Sequence, residues 1–323
     1  MASTGEFGLG WSPPAFSLQG EAEDRGAGGM VPAVDSPVAI IGAGTMGRGI
    51  ALVFARSGFQ VRLQDIRRDA LASARSRIDL LLERAVVRGT ATPEQRQTTL
   101  SRLRFLDTLA DGVEGCALVI EAVTEDPDVK RTVFTELDRV ASDEAILATN
   151  TSALSITQIA GWTHRPAQVL GMHFFNPPDR MPLVELVRGM TTGQETIQRA
   201  RWYCKRIGKE SIEVADRPGF ATSRLSALLG NEAWYMFMEG VASPPDIDRA
   251  VKLGLGHPMG PFELGDLIGL DVRLSVLRYL HSTLGERFRP CPLLVKYVEA
   301  GYLGRKTGRG VYVYHEESPQ RDV

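Results

Sequence analysis

His173 and Glu185 stand in one stretch, "GMHFFNPPDRMPLVELV" (171–187), each inside an apolar run. Histidine exchanges protons near neutral pH. Glu185 alternates with Leu183 and Val187 at period 2, which puts it on an apolar strand face where an ionised carboxylate is costly unless paired. Together the two would form a proton acceptor and the partner that orients it and stabilises its charged form, the second half of a catalytic triad with no adjacent nucleophile. The alternative is a core histidine beside a glutamate that caps a backbone donor. "TNTSALSI" (149–156) adds Thr151 and Ser152; the Ser152 hydroxyl would either cap a helix or donate to a substrate oxygen.

Such groups need a frame. Val38 to Ile41 form an unbroken apolar run, as a central parallel strand buried on both faces requires. Gly42-Ala43-Gly44-Thr45-Met46-Gly47 follows, a GxGxxG, and then helix-like sequence to Arg56 with Gly58 as its stop. Gly42 permits a tight turn, Gly44 lets the backbone approach a pyrophosphate, and Gly47 lets the helix pack close on the strand. The helix N-terminus meets phosphates with unpaired N–H groups. A second strand, 60–64, ends in Asp65, about 20 residues on, where an acid binds the adenine ribose. That carboxylate favours NAD, because it would repel the 2′-phosphate of NADP. Arg67 and Arg68 either pair with such a phosphate or form a solvated helix start.

Strand-like and helix-like segments then alternate. A helix is expected over about 69–87, strands at 103–106 and 117–123, and a helix over 127–140. Further strands are expected at 145–150, 168–175, 183–187 and 211–216, with helices between several of them. This pattern implies an α/β fold, a doubly wound, mostly parallel sheet of the Rossmann type whose ligands sit at the carboxyl ends of the strands. Asp216-Arg217-Pro218-Gly219 marks a boundary, and beyond it lies an all-helical C-terminal domain, with segments near 223–240, 246–253, 263–284 and 291–300. The expected division is a disordered extension at 1–36, a cofactor-binding domain at 37–217 and a helical domain at 218–323.

Residues 1–36 are rich in Gly, Ser, Pro and Ala and lack periodicity, with Met30 a candidate start. Several acids and a single arginine make them a poor mitochondrial presequence. A net charge of −2 supplies no basic field for nucleic acid or an anionic membrane. No apolar run approaches the roughly 20 residues that span a bilayer. Cys116, Cys204 and Cys291 are scattered, with no CxxC. That argues against a disulfide framework or a metal site and for a reducing compartment, the cytoplasm.

"IGAGTMGRGIA", "NTSALSI", "HFFNP…LVELV", "HPMGPFELGDLIGLD" and "LGRKTGRGVYVY" occur in order over residues 37–315. In their sequence and spacing they resemble the 3-hydroxyacyl-CoA dehydrogenase family, in particular its bacterial 3-hydroxybutyryl-CoA members. The resemblance implies NAD-dependent, reversible oxidation of an L-3-hydroxyacyl-CoA to the 3-oxoacyl-CoA. His173 would be the general base, Glu185 its partner, and Ser152 the donor to the substrate oxygen. Asp65 would bind the adenine ribose; Glu125 and Lys130 match positions on the nicotinamide ribose. Asn150 and Asn176 match further cofactor-side and substrate-side positions. Arg88, in "VVRG", stands where the family often has a lysine facing CoA phosphates. Arg77 and Arg84 share its helix face, which is otherwise simply solvated. One departure is Ser223, in "DRPGFATSRL", where the family usually has an asparagine that joins the active site. A hydroxyl offers one donor where an amide offers two.

The resemblance also implies a homodimer formed through the helical domain, with substrate in the interdomain cleft. Two other readings share the fold: a sugar-acid dehydrogenase like L-gulonate 3-dehydrogenase, and a non-enzymatic NAD-binding protein like lens lambda-crystallin. The retained His173 and Glu185 argue against the second. The C-terminal "LGRKTG" and the cationic face argue against the first.

Overall fold

A computed structural model describes residues 36–314. The expectation of disorder for 1–36 concerns a segment that, Ser36 apart, lies outside the described residues, as do 315–323.

The chain begins as a repeated strand–helix unit. β1 (Val38–Ile41) leads into α1 (Thr45–Arg56), then β2 (Val61–Gln64), α2 (Arg68–Val87), α3 (Pro93–Ser101), β3 (Leu103–Leu106) and α4 (Leu109–Val113). β4 (Leu118–Glu121), α5 (Pro127–Val140), β5 (Ile146–Thr149), α6 (Ile156–Ala160) and β6 (Val169–Phe174) follow. β7 (Leu183–Arg188), α7 (Gln194–Arg206) and β8 (Glu210–Ala215) complete an eight-stranded sheet of order β3-β2-β1-β4-β5-β6-β7-β8.

The strands from β3 to β6 are parallel, as expected of strand–helix alternation. β7 is antiparallel to β6, and β8 is parallel to β7. The eight residues 175–182 between β6 and β7 are too few for a helical crossover, so the chain turns straight back. That reversal sets His173 opposite Glu185 in register.

Alternate strand residues feed two cores. Val38, Ile40, Leu63, Ile120 and Ala148 pack under α1, α2 and α7. Ala39, Ile41, Val119, Leu147 and Val169 pack on the opposite face, under α4, α5 and α6. The central strands are therefore apolar at every position, which is why they read as continuous runs.

From Thr222 onward, among the described residues, the helices are α8 (Thr222–Met238), α9 (Pro244–Gly254), α10 (Pro261–Ile268), α11 (Leu270–Leu284) and α12 (Pro292–Glu299). They share a third core around Trp234, Phe262, Leu270 and Leu277. The helix expected over 263–284 is two helices. Gly269, at φ 110°, breaks it between α10 and α11. The "GRGVYVY" segment is clasped by two buried acids. Asp266 accepts from the N–H groups of Val311 and Tyr312, and Asp248 accepts from the Tyr312 hydroxyl.

Candidate active site

Parallel pairing lines up the strand ends. Ile41 pairs with Glu121, Glu121 with Thr149, and Thr149 with Gly171. The glycine turn, the loop after Glu121, the Thr151–Ser152 turn and His173 thus lie along one carboxyl edge. Three strand spacings, roughly 14 Å, separate the first from the last.

At one end is the glycine turn. Gly42 has φ 100°, and a Cβ there would lie 2.7 Å from the Ala122 carbonyl oxygen. Gly47 is tighter: a Cβ would lie 1.8 Å from the Gly42 oxygen. A Cβ on Gly44 would meet nothing within 4 Å. Gly44 is the N-cap of α1 and supplies no side-chain cap, and the first turn holds no acid. This helix end therefore has no side-chain cap and has open space at Gly44. A pyrophosphate fits there by size and by charge. Met46 packs inward on the core.

Asp65 follows β2 directly and reaches back to the turn. Its carboxylate accepts from Ala43 N–H at 2.8 Å and from Arg67 N–H at 2.9 Å. Arg67 pairs with Asp69 at 2.9 Å and Arg68 with Asp107 at 2.7 Å. Both guanidinium groups thus face neighbouring carboxylates at an exposed helix start, which is the reading of a solvated face. Asp65 is left as the acid beside the glycine turn, and these residues fit NAD.

At the other end is the pair. His173 Nδ1 lies 2.8 Å from Glu185 Oε2. Glu185 is 0% exposed and His173 7%. The other carboxylate oxygen accepts from Ala221 N–H at 3.2 Å and Thr222 N–H at 2.9 Å, at the start of α8. Burial pushes the Glu185 carboxyl upward, but the bond to His173, the Thr222 N–H and the histidine charge together hold it below the ordinary carboxylate range. An ionised carboxylate only accepts, so Nδ1 carries a proton, and in the neutral form of the ring Nε2 is the proton acceptor. Phe175 and Phe220 flank the imidazole, with ring centroids 4.6 and 5.8 Å away.

Between the two ends, Ser152 is exposed and does not cap α6. The cap is Ser155, whose hydroxyl accepts from Gln158 N–H. The Asn150 side-chain oxygen accepts from Phe174 N–H at 2.9 Å, which ties this turn to the strand of His173. Asn176 is exposed just beyond β6, and Ser223 lies half-buried in the first turn of α8 beside the Glu185 anchor.

Glu125 is partly exposed, and its carboxylate takes the Ser152 N–H, at 3.0 Å, and the Thr151 hydroxyl. Lys130 is 1% exposed, and its ammonium lies 2.6 Å from Glu121 and 3.2 Å from Glu125. Sequence reading missed Glu121. The signal was there: a carboxylate ending the apolar run "ALVIE" demands a buried partner, as Glu185 does. It also missed Arg48, a half-buried residue of α1. Burial, and then the charge of Arg77, pull the Arg48 guanidinium below its usual value. Arg77 and Arg88 are exposed on and just beyond α2.

Two family models divide the chain. Residues 37–217 match the 3-hydroxyacyl-CoA dehydrogenase NAD binding domain, and residues 219–314 match the C-terminal domain of the same enzymes. The chain belongs to the 3-hydroxyacyl-CoA dehydrogenase family. A 3-hydroxybutyryl-CoA dehydrogenase of Bradyrhizobium diazoefficiens is 46% identical over 291 residues, 89% of this chain and 98% of that one. A probable 3-hydroxybutyryl-CoA dehydrogenase of Bacillus subtilis is 44% identical over 282 residues, 87% of this chain and 98% of that one. The crystal structure of (S)-3-hydroxybutyryl-CoA dehydrogenase from Ralstonia eutropha superposes with a TM-score of 0.84 at 40% identity, covering 87% of this chain and all of that one. In this dehydrogenase family the glycine turn and Asp65 fall within the NAD binding match, as do His173 and Glu185.

Proposed function

We infer that this protein is an NAD-dependent L-3-hydroxyacyl-CoA dehydrogenase that interconverts short-chain 3-hydroxyacyl-CoA and 3-oxoacyl-CoA, with 3-hydroxybutyryl-CoA its leading substrate. The observation that carries this reading is the buried 2.8 Å contact between His173 and Glu185 at the carboxyl edge of a dinucleotide-binding sheet. The names of the relatives supply the substrate class.

The residues divide the work. NAD, when bound, supplies the acceptor for the hydride that leaves C3. His173 Nε2 takes the proton of the 3-hydroxyl. Glu185 stabilises the resulting imidazolium, and the N–H groups of Ala221 and Thr222 keep its carboxylate ionised and in place. Ser152 donates to the substrate oxygen. Ser223 lines the same cleft. Gly42, Gly44, Met46 and Gly47 form the pyrophosphate turn, and Asp65 holds the adenine ribose. Glu125, Asn150 and Asn176 lie on the nicotinamide side, with Lys130 beneath them. Phe175 and Phe220 keep water from the imidazole.

Arg88 and Arg77 on the α2 side, with Arg48 of α1 beside Arg77, form the cationic surface for CoA phosphates. We assign residues 37–217 to cofactor binding and 218–323 to substrate closure and homodimer formation. Exposed Leu225, Ile268 and Val272 on the helical half support that self-association. Cys116, Cys204 and Cys291 are free and buried, which supports a reducing compartment, the cytoplasm. Among the described residues no helix is long and apolar enough to cross a membrane.

The test is oxidation of L-3-hydroxybutyryl-CoA with NAD, followed as NADH absorbance, in the presence and absence of free CoA. Turnover with competition by CoA supports the reading. Turnover of L-gulonate instead, untouched by CoA, would replace it with the sugar-acid reading.

A further inference from the structure

Beneath the cofactor side of the cleft lies a cluster of charge that proton transfer at His173 does not use. Glu121, at the end of β4, is 0% exposed. It accepts from Lys130 Nζ at 2.6 Å, from Val123 N–H at 2.7 Å and from the Thr149 hydroxyl at 2.7 Å. Three donors on one buried carboxylate satisfy it as an ion.

Lys130, on the first turn of α5, is as deeply buried as its partner, so its ammonium is not a surface group that a ligand meets directly. It bridges Glu121 to Glu125, 3.2 Å away on its other side. Glu125 in turn takes the Ser152 N–H and the Thr151 hydroxyl. The Thr151 oxygen then accepts from Leu154 N–H at 2.9 Å, closing the turn that carries Ser152. Thr149 joins the two arms, because its oxygen accepts from Thr151 N–H at 3.2 Å while its hydrogen goes to Glu121.

We propose that Glu121 and Lys130 are positioning residues: through Glu125 and Thr151 they fix the backbone that presents Ser152 to the substrate oxygen. The inference rests on the dehydrogenase reading, in which Ser152 touches substrate. It gives Lys130 a role distinct from direct contact with the nicotinamide ribose. It also gives a reason for a fully buried ion pair at a strand end, where well-packed apolar residues often serve stability as well. A buried pair of this kind sets geometry, and one carboxylate shared by a lysine, a hydroxyl and a backbone N–H leaves the Ser152 turn a single arrangement.

The experiment is a double-mutant cycle against Ser152→Ala. Thr151→Val keeps the side-chain shape and removes the hydroxyl that reaches Glu125. Glu121→Gln with Lys130→Met removes both buried charges together, so that neither is left unpaired. Each is read by kcat/KM with acetoacetyl-CoA, by NADH affinity from fluorescence titration, and by thermal unfolding. The proposal expects kcat/KM to fall by about tenfold or more in folded Thr151→Val, with NADH affinity changed by less than about threefold. The same substitution in the Ser152→Ala background should cost less than about twofold, because the group being positioned is gone. The charge-free double variant should show the same dependence on Ser152; if it does not fold, Glu121→Gln alone, in which Lys130 keeps Glu125 as its partner, is read the same way and decides. Equal losses in the presence and absence of Ser152 would reduce the cluster to a structural brace and overturn the proposal. A Ser152→Ala variant as active as the parent would instead remove the catalytic role of Ser152, a failure of the underlying reading and recognisable as such.

Discussion

Glu185 faces two ways: one carboxylate oxygen meets His173 Nδ1 at 2.8 Å, and the other accepts the Thr222 N–H at 2.9 Å. The carboxylate bonded to His173 on the sheet is thus also bound to the first turn of the helical half. Any shift of α8 relative to β7 therefore acts directly on His173.

His173→Ala should lower kcat by about 10²–10⁴-fold, the usual worth of a positioned proton acceptor. NADH affinity should stay within about twofold, since the glycine turn and Asp65 lie at the other end of the carboxyl edge. Steady-state kinetics beside a fluorescence titration checks both. A variant with parental kcat would show that His173 is a core histidine.

Glu185→Gln should lower kcat and also flatten one part of the pH profile of stability. The Glu185 carboxyl is held below its ordinary value in the folded protein. Its contribution is therefore fully present above the unfolded carboxylate range, about pH 4.3, and is lost as pH falls through the depressed folded value. Denaturant unfolding from pH 7 down to 3 should show parent and variant converging at the acid end. A constant difference across that range would mean that the shift is absent.

The two glycines of the turn should fail differently. Gly47→Ala sets a Cβ 1.8 Å from a backbone oxygen that cannot swing aside. It should cost about 1–3 kcal/mol or more in stability. Gly44→Ala meets nothing within 4 Å, so its unfolding midpoint should be nearly unchanged. Its NADH affinity should nonetheless drop by about tenfold or more, because the methyl takes the space left for the pyrophosphate. Thermal unfolding and NADH titration of the two proteins separate these effects.

Arg88→Glu should raise KM for acyl-CoA by roughly three- to tenfold at low salt, with kcat and NADH affinity unchanged. The increase should shrink above about 0.3 M salt, as screening weakens an exposed contact. A KM that ignores both charge and salt would leave α2 a solvated face.

Much of this site is legible in the sequence, for physical reasons. A turn that needs glycine at three positions, an acid at a fixed distance and a carboxylate on an apolar strand face are local demands, readable residue by residue. β3 and α5 start and stop at the positions the residues announce, the latter because Asp126 and Pro127 form its cap and first turn. What the sequence hides is pairing over distance. Nothing local shows that Glu185 reaches the α8 backbone across 37 residues, or that Lys130 turns inward to Glu121. The reversal at β7 is written only in the brevity of residues 175–182, and the break at Gly269 is masked by apolar residues at helical spacing on both sides. Ser155, three residues past Ser152, takes the cap that either serine could fill by type.

The measurement that tests the central claim most directly is the rate of NADH consumption with acetoacetyl-CoA, run beside NADPH. The account predicts rapid loss of NADH and slow or no loss of NADPH, because Asp65 stands at the ribose end and its neighbouring arginines face other carboxylates. No turnover with either cofactor would contradict the assignment of His173 and Glu185 to this reaction, and preferential use of NADPH would contradict the role given to Asp65.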